Sequence, residues 1–255
     1  LAAGNPAALR EAPAETAGED TLEALIARGV AHLTGYQDTA WATRFETAVR
    51  RAQRAEADCA GSEASLPLTR AVARSLMKLM SYKDEYEVAR LYTDGGFQRQ
   101  LHDQFEGDVK LEFHMAPPLL ARPRHGQPPK KIVFGPWMLG ALKWLAKGKA
   151  LRGGWFDVFG KTEERRMERA LVTQYEARVD ELLADLSADR LPVALQIAAL
   201  PLSMRGYGHI KIANVALARA REAELLHRFM PERYAKPMAA APAAGQFKGI
   251  AVVSR

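Results

Sequence analysis

Two stretches combine residue types that could do chemistry. The first is MRGYGHIK, Met204 to Lys211. Arg205, His209 and Lys211 supply positive charge, and Gly206 and Gly208, on either side of Tyr207, free the backbone to turn sharply. The segment leads into the last expected helix, whose free N–H groups and dipole would suit a phosphate or carboxylate. Arg205, Gly206, Tyr207, Gly208, His209 and Lys211 are therefore a candidate ligand or anion site. The plainer alternative is a helix–helix turn, with glycines for geometry and basic residues facing solvent. A dinucleotide fingerprint is excluded, because its third glycine is missing and the segment follows a helix.

The second stretch is Arg74 to Gly96. Val72, Leu76, Leu79 and Met80 recur at helical spacing. The same face then continues through Lys83, Glu87 and Arg90, with Asp84, Glu85 and three tyrosines (Tyr82, Tyr86, Tyr92) around them. One helix is expected from about Thr69 to Thr93, ended by Gly95-Gly96. Lys83, Glu85, Glu87 and Arg90 form a candidate ionic interface. They read either as a structural ion-pair network or as a helix lining an interface or cleft in a larger assembly.

Other chemistry is thin. His114 lies on the polar side of an expected strand beside Glu112, as a base or as a hydrogen-bonded surface histidine. His32 and His227 read as surface or boundary residues of amphipathic helices, and His102 and Asp103 lie too close in sequence to face one partner as a designed pair. There is no P-loop, G-x-S-x-G, H-E-x-x-H or pair of C-x-x-C motifs. The single cysteine, Cys59, can make no internal disulfide and cannot alone hold an iron–sulfur cluster or structural zinc. A cytoplasmic setting follows as an expectation. The longest apolar run, residues 134–146, falls short of the roughly 20 residues a membrane span needs and contains Lys143. The chain starts at Leu1 without a basic, then apolar leader, so it reads as cut from something longer or processed.

The elements that must position these residues are mostly helical. A chain of 255 residues can bury a full core in one or two domains. Its net charge of +6 permits an anionic partner, but acids are interleaved almost everywhere, which does not point to nucleic acid. Residues 1–19 read as a linker or frayed end. Asp20 to Glu23 fits a capping box with Asp20 as N-cap. A second helix, about Gln37 to Ala57, carries Arg44, Arg50, Arg51 and Arg54 on what reads as a solvated face. Phe97 to Phe105 forms a short helix. Val109, Leu111, Phe113 and Met115 alternate as a strand, and Lys131 to Phe134 returns as its hairpin partner, with a basic, proline-rich loop, Arg122 to Lys131, between them. Pro136 opens a buried helix bearing Trp137, Met138, Leu142 and Leu145, and its cationic tail, Lys143, Lys147, Lys149 and Arg152, complements that helix's own dipole. Thr162 caps a long helix, Glu163 to Leu186. A short apolar helix, Leu191 to Leu200, and a final one, about Ile212 to Phe229, follow. Residues 230–255 read as a loosely held tail. The expected fold is mainly α: about seven or eight helices over residues 20–229 with one small β-hairpin.

Five blocks carry a family resemblance: Lys78 to Phe97, Gly107 to Pro123, Phe134 to Leu139, Leu151 to Arg169, and Arg205 to Phe229. In order and spacing they resemble the C-terminal domain of the large fused indolepyruvate ferredoxin oxidoreductases of bacteria, which are thiamine-diphosphate-dependent 2-oxoacid oxidoreductases. The resemblance implies oxidative decarboxylation of an aryl-pyruvate with coenzyme A, giving acyl-CoA and carbon dioxide. Thiamine diphosphate, Mg2+ and, where present, 4Fe-4S centres would lie in modules upstream, and no catalytic residue carries over to this chain. Its implied partners are those upstream modules or partner subunits in a homo-oligomeric enzyme, with coenzyme A or the oxoacid as possible ligands and no membrane. Two other readings stand beside it: a subunit-interaction domain without ligand contact, and a stand-alone anion-binding helical protein.

Overall fold

The computed structural model describes residues 21–60, 65–105, 107, 110–115 and 131–237. In chain order it runs α1 (Leu22–Tyr36), α2 (Thr39–Ala60), α3 (Pro67–Met80), α4 (Glu85–Thr93), α5 (Gly96–Gln104), β1 (Phe113–Met115), β2 (Ile132–Phe134), α6 (Met138–Lys147), α7 (Glu163–Ala184), α8 (Leu191–Ala199) and α9 (Gly208–Phe229). Among the described residues the fold is mainly α, with β1 and β2 as one antiparallel pair, Phe113 opposite Phe134 and His114 opposite Val133. The hairpin loop, including Arg122 to Lys130, and the expected N-cap Asp20 lie outside the described residues.

Two apolar clusters organise the chain. The larger is a helical bundle in which Leu33, Phe45, Leu76, Met80, Leu182 and Phe229 are buried together. The close approach of α1 to α2 depends on Gly29, where an added Cβ would stand 2.5 Å from the Phe45 ring. Glu56 is buried in this bundle, and its carboxylate accepts the backbone N–H groups of Leu68 and Thr69. It thereby caps α3 from a neighbouring helix, where Leu66 offers no side-chain cap of its own. The smaller cluster joins Ala89 of α4, Phe113 of β1, and Met138 and Leu142 of α6. Tyr92 meets Phe97 and Phe113 edge-on at its margin.

Several expectations shift. The single helix over Thr69 to Thr93 is two helices, broken at residues 81–84. Asp84 accepts the N–H of Glu87 at 2.8 Å as the N-cap of α4, and Ser81 bonds back to the Met77 carbonyl. Local side-chain bonds of this kind compete with the helical ladder. At α1 the cap is Thr21, whose hydroxyl accepts from Ala24, one residue later than the expected Asp20. α6 begins at Met138, after a turn through Pro136 and Trp137, and its tryptophans Trp137 and Trp144 face outward; only Met138 and Leu142 are fully buried. Lys149 and Arg152 do not serve α6. They donate to the carbonyls of Thr34, Gly35 and Tyr36, at the C-terminus of α1. The packed chain also runs past Phe229: Met230 is buried, and Tyr234 packs on the bundle.

Candidate functional site

The two charged stretches, more than a hundred residues apart in sequence, meet at the N-terminal half of α7. Thr162 caps that helix through the N–H of Arg165. Arg165 and Glu168 then stand on one ridge, three apart on the helix surface. Arg165 pairs with Glu85 of α4 at 3.4 Å. The buried Glu168 accepts a charge-assisted bond from Lys211 in the first turns of α9. Lys83 closes the circle from the other side, with its ammonium 5.9 Å from the Tyr207 ring centroid.

The glycine loop has the conformation its glycines allow. Gly206 lies at φ +96 and Gly208 at φ +54. At Gly206 a Cβ would come within 2.7 Å of Ile210 Cγ2, so this turn closes only without a side chain. α9 starts at Gly208, earlier than the expected Ile212, which places His209 and Lys211 inside its first turns. No acidic residue occupies that first turn and no side chain caps it. Cations there oppose the helix dipole, and Glu168 supplies the negative charge that offsets Lys211. Arg205, Tyr207 and His209 remain exposed, and the Arg205 carbonyl accepts from Asn214 at 2.8 Å.

Lys78 of α3 joins this end of the bundle. Its ammonium donates to the carbonyls of Pro201 and Leu202 at 2.6 and 3.0 Å. Burial, reinforced by the positive charges of Lys211 and Arg205 and opposed by Glu168, brings its pKa down to about 8.

The remaining charges of α4 are committed inside the domain. Glu87 holds Arg90 through two bonds of 2.8 and 2.7 Å, three residues apart on one helix, and Arg90 also reaches Asp94. Asp84 is buried, and beyond its capping role it binds the buried guanidinium of Arg152, with an Nη2–Oδ1 distance of 2.8 Å. Arg152 lies 3.7 Å from the Tyr36 ring centroid and donates to the Tyr36 carbonyl. The Tyr36 hydroxyl donates to the Tyr82 carbonyl, and burial together with the Asp84 charge pushes its pKa far up. The sequence reading did not single out Arg165, Glu168 or Arg152 as partners. A signal for Glu168 was present: it is a charged residue directly after Met167 in the apolar stripe of α7 that continues at Leu171.

A family model matches residues 22–224; it describes a family of unknown function, DUF6537. The chain belongs to this family. No curated protein and no solved structure matches the chain.

The charged junction of this DUF6537 domain has a definite chemical character. Glu85 Oε2, Glu168 Oε2 and Arg169 Nη1 are buried there without a hydrogen bond inside the chain. Buried groups of this kind carry a desolvation cost of about 1–3 kcal/mol until something pairs with them. These three atoms are closed off from solvent, so the junction keeps its charges inside the domain. It does not pair a nucleophile with a base. Nearby, a hollow between α7, α8 and α9, lined by Leu171, Tyr175, Arg178, Ile197 and Glu222, holds about 50 Å³. Metabolite pockets run to roughly 300–1,000 Å³. Among the described residues no group of three or more His, Cys, Asp or Glu side chains is placed to hold a metal. The half-buried Cys59 stands alone and does not match the four-thiolate donor set of an iron–sulfur cluster. His114 is exposed, its Nε2 4.0 Å from Glu112. The arginines of α2 serve as structural partners: Arg44 pairs with Glu176, Arg50 with Glu23 and Arg51 with Asp180. Among the described residues no helix is long and apolar enough to cross a membrane.

Proposed function

We propose that this chain is the accessory C-terminal region of an indolepyruvate-type 2-oxoacid oxidoreductase. In that enzyme an aryl-pyruvate would be oxidatively decarboxylated with coenzyme A, on modules that lie elsewhere. Thiamine diphosphate, Mg2+ and any 4Fe-4S centre belong to those modules, and none is assigned to residues of this chain. The setting is cytoplasmic and the complete enzyme a homo-oligomer. What supports the reading is the way three of the five resembling blocks interlock. Asp84 of the first binds Arg152 of the fourth, Glu85 of the first pairs with Arg165 of the fourth, and Lys211 of the fifth binds Glu168 of the fourth. The unusual residues of the resemblance are thus spent on holding the domain together, which suits a scaffold better than a reaction centre.

The isolated chain, supplied with thiamine diphosphate, coenzyme A and an electron acceptor, is expected to oxidise no 2-oxoacid; robust turnover would sink the proposal. A second reading, an interaction domain that touches no ligand, is favoured by the commitment of Lys211 to Glu168. Joint replacement of Arg205, His209 and Lys211 by Ala in the complete enzyme separates the two. A raised KM for coenzyme A or oxoacid speaks for a ligand path along the loop. Unchanged kinetics with altered assembly speaks for the pure interaction domain.

A further inference from the structure

The bundle is interrupted in sequence. Its apolar cluster draws on residues 22–80 and 167–234, while the smaller cluster lies wholly between them, in residues 89–146. Among the described residues the two clusters share no member, and no helix of the inserted segment packs along a helix of the bundle. The elements α4, α5, β1, β2 and α6 thus form a lobe set into the chain of the bundle. Two bodies of one chain move relative to each other unless a large hydrophobic interface joins them.

The chain passes between the bodies twice. Residues 81–84 lead out and residues 161–162 lead back, both outside helix and strand. The passages are neighbours: Tyr86, just past the first, meets Phe159, just before the second, edge-on at 5.4 Å. Asp157 keeps the turn before the second passage in one piece, its carboxylate accepting the N–H groups of Gly153, Phe159 and Gly160 at 2.8, 3.2 and 2.9 Å. Two short neighbouring connections define a hinge axis, whereas shear needs packed helices that slide. Arg152 sits at this axis. It is buried, binds Asp84 of the first passage, and donates to the Tyr36 carbonyl of the bundle.

Away from the axis the two bodies meet through polar groups. Lys149 donates to the Thr34 and Gly35 carbonyls at 3.2 and 2.8 Å, and Arg169 to the Gly160 carbonyl at 2.6 Å. Lys83 stands 5.9 Å from the Tyr207 ring centroid. Glu85 and Arg165 face each other as charged side chains at 3.4 Å. Water replaces such partners when surfaces part, so they resist separation far less than a shared apolar core. The Glu85 pair is also half made: Oε1 meets Arg165, while Oε2 is buried without a hydrogen bond. Opening would return that oxygen to water and relieve its desolvation. We propose that the lobe turns against the bundle as one body, pinned at Arg152, and that the Glu85–Arg165 pair is the latch that sets its resting angle.

Pulsed dipolar EPR on the full chain tests this, with the half-buried Cys59 replaced by Ser. Nitroxides are placed at pairs of exposed positions. Lys143→Cys on α6 with Ala213→Cys on α9 spans the boundary. Lys143→Cys with Gln100→Cys lies within the lobe, and Asp58→Cys with Ala213→Cys within the bundle. The spanning pair is expected to give a broader distance distribution than either internal pair. Glu85→Gln should move its mean by more than about 2 Å, the size that marks a domain rearrangement, and Arg165→Gln should reproduce the shift. Unchanged internal pairs certify that both variants are folded. A spanning pair as narrow as the internal ones, and unmoved in both variants, would overturn the hinge. A broad spanning pair that neither variant moves would overturn the latch. Broadening of the pair within the lobe in step with the spanning pair would mean that the lobe loosens internally, and would equally overturn a body that turns whole.

Discussion

Lys78 shows what burial among like charges does to one side chain. It spends two N–H donors on the carbonyls of Pro201 and Leu202, at the end of the bundle where Lys211 and Arg205 also gather. Its pKa of about 8 lies below the ordinary 10.5. The unfolded chain therefore holds more protons than the folded one between those two values. Stability from this group rises with pH across that window and is constant below it, where both states are charged. The stability difference between the wild type and Lys78→Met, measured by urea unfolding, should thus change between pH 8 and pH 10.5 and be flat from pH 6 to pH 7.5. Reductive 13C-methylation should show one lysine titrating near pH 8, and that signal should vanish in Lys78→Met. Parallel stability curves over the whole range would refute the assignment. Glu168 works against the shift, so Glu168→Gln is expected to move the midpoint lower still.

Among the elements, the glycine turn before α9 separates two kinds of glycine requirement. Gly206 combines a positive φ with a neighbour, Ile210, that occupies the space of a Cβ. Gly208 has a positive φ but open space around it. Gly206→Ala should cost about 1–3 kcal/mol, from strain plus the displaced Ile210, and Gly208→Ala about 1 kcal/mol, the ordinary left-handed penalty. Equal costs in chemical unfolding would mean that Ile210 moves aside freely. This turn was legible in the sequence, because glycines flanking a single residue before an amphipathic run have few other uses. Most helices were legible too, since they bury a periodic stripe; α5, which buries no residue, is the exception. The break at Asp84 was readable as an Asp-x-x-Glu start but was hidden by the apolar stripe continuing through Tyr82, Tyr86 and Ala89. The outward tryptophans of α6 were not legible, because the residue type alone suggests a core. The ion pairs were least accessible: Asp84 and Arg152 stand 68 residues apart, and only the packed fold decides which of several arginines arrives.

At the scale of the whole molecule, the two apolar clusters make unequal contributions to stability. Among the described residues, the bundle buries large side chains from six helices, whereas the smaller cluster has four buried members. Arg152 ties them: it holds Asp84 at the start of α4, in the smaller unit, and the Tyr36 carbonyl at the end of α1, in the bundle. A region with few buried apolar contacts opens at lower free energy than a large core. Amide hydrogens of α4 and α6 should therefore exchange through a lower-energy opening than those of α3 and α8. Arg152→Met keeps much of the side-chain volume but leaves Asp84 buried without its cation, a loss of about 3–5 kcal/mol for a broken buried pair. That loss should fall on the junction, so α4 and α6 should exchange faster in Arg152→Met while α3 changes much less, and chemical unfolding should separate into two transitions. The double variant Asp84→Asn with Arg152→Met removes the stranded charge and should recover part of the loss. If Arg152→Met instead unfolds in one transition with α3 and α6 exchanging alike, the two clusters form a single cooperative unit, and Arg152 is one contact among many rather than the link between them.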